Sequence, residues 1–268
     1  MTDALASAFE RRPVYVAGAA EPHEWGIAVE VPVELRLNGA PWTVMLASPS
    51  DLDDLAVGLA LTERLVADAA GVHGLRIAQA DGDWTVDVDV PTPLRPVRAR
   101  SVAGATGCGI CGLESLADFR TGLAGATPLV ATQVITDAAV MAAWAALPDL
   151  QPVNAATRSV HAAAWCSPDG AVLLVREDVG RHNALDKLVG ALARQGRLGE
   201  PGFVAMTSRC SVELVPKAAV ARALLLATIS APTTLALTTS ATLGVPLACA
   251  GPGRQVVRFP MESADAER

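Results

Sequence analysis

Apolar and polar residues alternate with period two along Val31, Val33, Leu35 and Leu37, and again along Trp42, Val44 and Leu46. That period lays one face of each segment against a core, and Asn38-Gly39 between them is a favoured two-residue turn, so a β-hairpin is predicted. The period then lengthens. Leu52, Leu55 and Leu59, with Val66 beyond, recur at helical spacing. Ser50 is the predicted N-cap, and Asp51, Asp53 and Asp54 suit the positive end of the helix dipole. Asp81-Gly82 joins two further short strands. Strand, turn, strand, helix, strand, turn, strand makes a small α+β unit, assigned to residues 12–95, with tails before it and over Met261–Arg268.

Pro91, Pro93 and Pro96 open a linker into a glycine-rich loop, assigned to residues 96–112. Beyond it, over residues 113–260, strands alternate with helices. Val160–Trp165 and Ala171–Arg176 read as a hairpin around Ser167-Pro168-Asp169-Gly170. A helix follows with Leu185, Leu188, Val189 and Leu192 on one face, ended near Gly196. Strands are predicted at Phe203–Met206, Leu224–Ile229, Val245–Ala250 and Gln255–Phe259, with helices starting near Ser211 and Pro232. Such alternation indicates a layered α/β sheet beside the smaller N-terminal unit.

Composition narrows the chemistry. A chain of 268 residues can bury a large core. Its net charge of −7 argues against nucleic acid as the main partner, because phosphate backbones are gripped by clustered cations. Met1–Glu10 lacks a basic start followed by an apolar run, and the longest apolar region, Ala218–Leu237, is broken by Arg222 and Pro232. The expectation is a soluble cytoplasmic protein with no membrane partner. The five cysteines are an odd number without a secretory signal, which favours reduced thiols, and Cys166 and Cys210 in strand-like segments read as buried and inert.

Two thiols stand apart from these, in Gly107-Cys108-Gly109-Ile110-Cys111-Gly112. A C-x-x-C pair can be half a zinc site, a redox dithiol, or a nucleophile with a helper thiol. Structural zinc needs four ligands. No second pair exists, and His23, His73, His161 and His182 are scattered, so no zinc is expected. A thioredoxin-like pair sits between a first strand and its helix, whereas a proline-rich linker precedes this one. Glycines beside both thiols predict an exposed loop that can reach two partners, one thiolate accepting sulfur as a persulfide and the other releasing it by exchange.

Three polar segments are candidate ligand sites. Glu177-Asp178-Val179-Gly180-Arg181-His182-Asn183-Ala184-Leu185-Asp186-Lys187 lies at a strand-to-helix junction, where open α/β sheets bind ligands and helix-start N–H groups favour anions. A salt-bridged helix cap, with Asp178 as cap and Asp186 paired to Arg181 or His182, reads equally well from the residues. A second junction from Thr207 to Lys217 repeats the design with Arg209, Glu213 and Lys217. The third, Cys249-Ala250-Gly251-Pro252-Gly253-Arg254, is a small-residue turn ending in a cation, the kind that lets backbone amides approach a phosphate.

At these residues the chain resembles the formate dehydrogenase accessory sulfurtransferases, the FdhD/NarQ family. The resemblance runs through Asn38-Gly39, Asp51-Leu52, Gly58, Glu63, Cys108-Gly109-Ile110-Cys111-Gly112 and His161-Ala162-Ala163. It continues through the block from Glu177 to Lys187, then Arg209, Glu213, Lys217 and Ser230-Ala231-Pro232-Thr233. It implies a sulfur carrier that takes persulfide sulfur from a cysteine desulfurase and passes it to the molybdenum bis-guanine-dinucleotide cofactor before insertion into formate dehydrogenase. It implies Cys108 as the persulfide carrier, Cys111 as helper, the Cys249–Arg254 turn as a cofactor-binding segment, a core like that of cytidine deaminases, and a homodimer. A cofactor with two pyrophosphates would draw on Arg181, Lys187, Arg209, Lys217 and Arg254, with Asp178, His182, Asn183 and Glu213 around them.

Deaminase chemistry itself is not expected. A zinc deaminase needs H-x-E and P-C-x-x-C, but His161 is followed by Ala162-Ala163, and the C-x-x-C precedes it without a proline. The chain departs from the family pattern at Arg158 and Ser159 (usually glycines), at Thr207-Ser208, at Pro216, and at Gly251 in place of a common arginine. The rival reading is a non-catalytic molybdenum-cofactor chaperone, which would keep the cationic junctions and tolerate loss of both thiols.

Overall fold

Phe9–Val14 (β1) and His23–Ala28 (β2) pair antiparallel as a two-stranded ribbon. The computed structural model describes residues 8–94 and 133–261. Cys108, Cys111 and the expected linker 96–112 lie outside the described residues. The ribbon, which the sequence pattern divides between a tail and the N-terminal unit, belongs to neither larger sheet.

Val31–Leu37 (β3) and Ala40–Ala47 (β4) form the predicted hairpin. Asn38 and Gly39 take φ of 52° and 81°, the left-handed pair that Asn-Gly accommodates at least cost. The Asn38 carboxamide also exchanges two 2.8 Å hydrogen bonds with the backbone of Val90. The register slips between Leu35 and Arg36, leaving Trp42 without a partner on β3. One extra residue reverses the inside–outside phase. Trp42, Met45 and Ala47 are therefore buried, while Val44 and Leu46 face outward, which corrects the simple alternation read from the sequence.

Leu52–Thr62 (α1) starts from Asp51 in the left-handed conformation and has no side-chain cap, so Ser50 does not play that role. Gly74–Ala80 (β5) and Asp83–Asp89 (β6) join through Asp81-Gly82, again with both φ positive. The strand order β4-β3-β6-β5 makes a four-stranded sheet, whose residues Val33, Leu35, Val86 and Val88 share a core with α1.

The second part opens with two helices the apolar pattern does not announce, Asp137–Ala146 (α2) and Pro152–Thr157 (α3). α2 is mostly alanine and α3 is only six residues long, so their periodicity is faint. The N-terminal ribbon packs on α3. A Cβ on Gly26 would lie 2.5 Å from the Ala156 carbonyl oxygen, and the Arg158 guanidinium stacks 5.7 Å from the Trp25 ring. Then come His161–Cys166 (β7), Val172–Asp178 (β8), Arg181–Arg194 (α4) and Phe203–Cys210 (β9). Leu214–Val220 (α5), Leu226–Pro232 (β10), Thr234–Leu243 (α6), Leu247–Ala250 (β11) and Val256–Arg258 (β12) complete the described chain. Pro216 falls in the first turn of α5, where its missing N–H costs nothing.

These strands form a six-stranded sheet in the order β12-β11-β10-β9-β7-β8. β9, β10 and β11 run parallel, and β7 is antiparallel to both β8 and β9. The C-terminal ends of β8, β9, β10 and β11 consequently share one edge with the start of β7. One face of the sheet, through Ala163, Trp165, Val204 and Met206, packs on α4 and α5. The other, through Ala164, Phe203, Ala205 and Ala227, packs on α2. The protein is thus mixed α/β with its larger sheet covered on both faces.

The two sheet units are not separated by solvent. A single core runs from the four-stranded sheet through α1 and α4 into the six-stranded sheet. α1 and α4 cross through glycine: a Cβ built on Gly58 would sit 1.8 Å from the Asp186 carbonyl oxygen, and one on Gly190 would sit 1.9 Å from that of Asp54. Arg176 and Arg194 both bind the buried Asp54 carboxylate, tying β8 and α4 to the first turn of α1.

Candidate functional site

The polar block at the end of β8 begins as architecture. Glu177 accepts from the N–H groups of Val153 and Asn154 at 2.9 and 2.8 Å, capping α3. Burial pushes its carboxyl up, against those two donors. Asp178 is wholly buried and receives Ser48 N–H (3.0 Å), Gly180 N–H (2.8 Å) and Asn183 Nδ2 (3.0 Å). Lys187, equally buried, places Nζ 2.6 Å from Asp178 Oδ2 and donates to the Ser48 carbonyl at 3.0 Å. Asn183 reaches the Leu46 carbonyl at 2.8 Å. These bonds fasten the end of β4 to the β8–α4 junction.

A second buried pair is anchored on the adjacent residue of α4. Lys217 Nζ bonds both Asp186 oxygens at 2.7 Å, and the Thr62 hydroxyl donates to Asp186 at 2.7 Å. Burial pushes the Asp186 carboxyl up, and Lys217 opposes the shift. Asp186 is therefore paired to Lys217, not to Arg181 or His182. Lys187 and Lys217 have their charges matched inside the protein, because a buried cation is held only with a partner. Asp178, Asn183, Lys187 and Lys217 thus differ from the ligand-facing set expected of them: the structure uses them to join α1, β4, β8, α4 and α5.

What stays in contact with solvent at this edge is a smaller group. Arg181, the first residue of α4, has a side chain one-quarter exposed; its Nε donates to Ser211 Oγ at 3.1 Å and its Nη2 to Glu213 Oε1 at 3.4 Å. The same Glu213 oxygen is paired with His182 Nε2. Burial would raise the Glu213 carboxyl, but the His182 bond, a backbone N–H and the Ser211 hydroxyl bring it down to about 2. An ionised carboxylate only accepts, so His182 donates from Nε2. Burial, with Arg181 and Lys217 nearby, holds the His182 ring below its ordinary value despite Glu213.

His161 opens β7 beside this group, opposite Asp178 in the β7–β8 register. Its ring is half-buried, and burial, with Arg181 and His182 adding to it, keeps it below the usual imidazole range. On the neighbouring strand Arg209 is exposed and pairs in register with the exposed Ser230 of β10; its carbonyl accepts from Ser208 Oγ at 3.0 Å, and its guanidinium has no hydrogen-bond or ion-pair partner among the described residues.

The small-residue turn continues β11. Cys249 is buried, with its thiol pushed up by burial, and Ala250 ends the strand. Gly251 donates to the Gln255 carbonyl at 2.8 Å. A Cβ on Gly251 would lie 2.6 Å from Val257 Cγ2, so a larger residue here would require the Val257 side chain to shift. Pro252, Gly253 and Arg254 form a single tight turn, with Gly253 and Arg254 at positive φ and Arg254 exposed. Four strand spacings separate β8 from β11, roughly 19 Å at ~4.8 Å each. The Arg181 guanidinium is drawn to Ser211 and Glu213 just beyond β9, so it lies on the same edge as Arg209, with the turn after β11 two strand spacings further along.

The thiols outside the C-x-x-C pair are shielded: burial raises both Cys166 and Cys210 to about 12. Among the described residues no three His, Cys, Asp or Glu side chains are grouped to hold a metal, and no helix is long and apolar enough to cross a membrane. Sequence reasoning missed Ser48, Thr62 and Ser211 as partners of the polar block. Single serines and threonines far away in the chain carry no local signal of such a role.

The FdhD/NarQ family model matches residues 28–259. A sulfur carrier protein FdhD from Variovorax paradoxus is 45% identical over 240 residues, covering 88% of this chain and 85% of its own length. A protein of the same name from Chromobacterium violaceum is 44% identical, covering 87% of this chain and 88% of itself. In three dimensions the chain superimposes on the crystal structure of a protein assigned as a formate dehydrogenase accessory protein from Desulfotalea psychrophila. The TM-score is 0.70, with 18% identity and coverage of 96% and 97% of the two chains. With one family model spanning most of its length and relatives this similar over more than four-fifths of both chains, the chain belongs to the FdhD/NarQ family.

Proposed function

We propose that this protein is a sulfur carrier in formate dehydrogenase maturation, accepting persulfide sulfur from a cysteine desulfurase and delivering it to the molybdenum bis-guanine-dinucleotide cofactor. The observation that carries the reading is the similarity, across 88% of the chain, to a sulfur carrier protein FdhD. The sequence supplies the chemistry in Cys108 and Cys111. The Cys108 thiolate attacks the outer sulfur of the donor persulfide, the donor's sulfur–sulfur bond breaks, and the donor leaves as a thiolate. Attack of Cys111 on the inner sulfur of the Cys108 persulfide then releases hydrosulfide sulfur for the metal and leaves a disulfide that a cellular dithiol reduces.

The cofactor is cargo here, and the strand edge is the proposed place for it. A dinucleotide is long enough to touch more than one anchor along this edge. Arg181, the backbone at the start of α4 and Arg209 suit one anionic group, and Arg254 with the Gly251–Gly253 turn suits another. The likeness of the six-stranded unit to cytidine deaminases belongs to the same proposal, supported by a sheet with helices on both faces. So does a homodimeric, cytoplasmic protein with formate dehydrogenase as client.

Intact-mass spectrometry after incubation with a cysteine desulfurase and cysteine tests the carrier step. A gain of one sulfur mass, absent in Cys108→Ala, is expected. Absence of any gain on the unaltered protein would refute it and favour a cofactor chaperone.

A further inference from the structure

We propose that Glu213 and His182 are positioning residues, which with Ser211 aim the Arg181 guanidinium at an anionic group of the ligand; this rests on reading the strand edge as the cofactor site. Arg181 is held on two sides by residues of the next strand–helix junction, Nε by Ser211 Oγ at 3.1 Å and Nη2 by Glu213 Oε1 at 3.4 Å. Glu213 cannot follow Arg181 outward, because His182 Nε2 grips the same oxygen and the His182 side chain is only 3% exposed. The two Nη1 hydrogens have no partner among the described residues, while the Arg181 side chain remains 25% exposed. A guanidinium fixed in this way offers a preset fork to a phosphate or carboxylate.

The arrangement divides labour between two arginines. Arg181 is neutralised by Glu213 and contributes direction. The Arg209 guanidinium is exposed and without a partner among the described residues, so it contributes net charge. The two roles give opposite signs in one experiment. On Coulomb grounds, removing a carboxylate beside an anion site should tighten anion binding. If the carboxylate positions the arginine, its removal should loosen binding, because the fork must be ordered anew each time.

The test is calorimetric titration of the full chain with GDP, a fragment of the cofactor, and with inorganic pyrophosphate, at low and moderate salt. Glu213→Gln is expected to weaken GDP about tenfold, equivalent to ~1.4 kcal/mol, even though the site gains positive charge. Ser211→Ala, which leaves every charge in place and covers the case in which Glu213→Gln fails to fold, is expected to weaken GDP several-fold. Arg209→Gln should instead flatten the salt dependence. Circular dichroism establishes that each variant is folded. Unchanged or tighter GDP binding by either folded anchor variant overturns the positioning role. Failure of the unaltered protein to bind either probe would remove the cofactor reading itself, and the positioning role with it.

Discussion

Gly58 and Gly190 meet where α1 crosses α4, and both approaches are to backbone. A methyl group on Gly58 would begin 1.8 Å from the Asp186 carbonyl oxygen, and one on Gly190 would begin 1.9 Å from the Asp54 carbonyl oxygen. Carbon and oxygen rest about 3.4 Å apart, so either alanine would push the helices ~1.5 Å apart against a packed interior. Overpacking of this kind costs ~3 kcal/mol at the upper end of its usual range. Alanine returns ~1 kcal/mol of helix propensity, leaving Gly190→Ala destabilised by ~2 kcal/mol and its melting temperature lower by ~4–8 °C. The separation would also stretch the bonds from Thr62 and Lys217 to Asp186, which span the same crossing. Thermal and urea unfolding followed by circular dichroism would measure the loss. A Gly190→Ala protein as stable as the unaltered chain, or more so, would refute the reasoning, since only the propensity gain would then remain.

Two further outcomes follow from the buried charges. Lys187→Met strands the Asp178 carboxylate, which lost its 2.6 Å cation in a wholly buried setting. The expected loss is ~3 kcal/mol, at the low end for a broken buried pair because Ser48, Gly180 and Asn183 still donate to Asp178. Adding Asp178→Asn should recover part of it in urea denaturation, and a double variant no better than the single would contradict this account. The second outcome concerns pH. The folded His182 ring titrates below its free value of 6.5, chiefly through burial, with Arg181 and Lys217 adding to it and Glu213 opposing. As pH falls, the unfolded chain takes up that proton first, so stability present above pH ~6.5 is lost as pH drops toward the folded value. His161 acts in the same sense, whereas Glu177 and Asp186, with raised carboxyls, act in the opposite one. The urea midpoint of the unaltered protein should therefore fall more steeply than that of His182→Gln between about pH 7 and 5.5; parallel curves would show that His182 is not the titrating group.

Local chemistry made much of the fold legible in the chain itself. Asn38-Gly39 and Asp81-Gly82 set their hairpins because a two-residue turn is fixed by its own φ angles, and both dipeptides take positive φ in the structure. The period of Leu185, Leu188, Val189 and Leu192 marked α4, and all four side chains are buried. The residue order of the Glu177–Lys187 block and the paired thiols pointed to the family before any contact was known.

The tertiary structure decided which charges are buried in pairs and which stay exposed. In sequence, Arg181, Lys187, Arg209, Lys217 and Arg254 are equivalent cations near helix starts or turns. Folding buries Lys187 against Asp178 and Lys217 against Asp186, and leaves Arg209 and Arg254 exposed. That sorting depends on α1 and the end of β4, more than 100 residues earlier, which supply Thr62 and Ser48 to the two pairs. A charge costs most where water is excluded, and water is excluded only once distant segments have packed. The chain alone therefore names the polar residues, while their division between buried scaffold and exposed surface comes from the packing of α1 on α4.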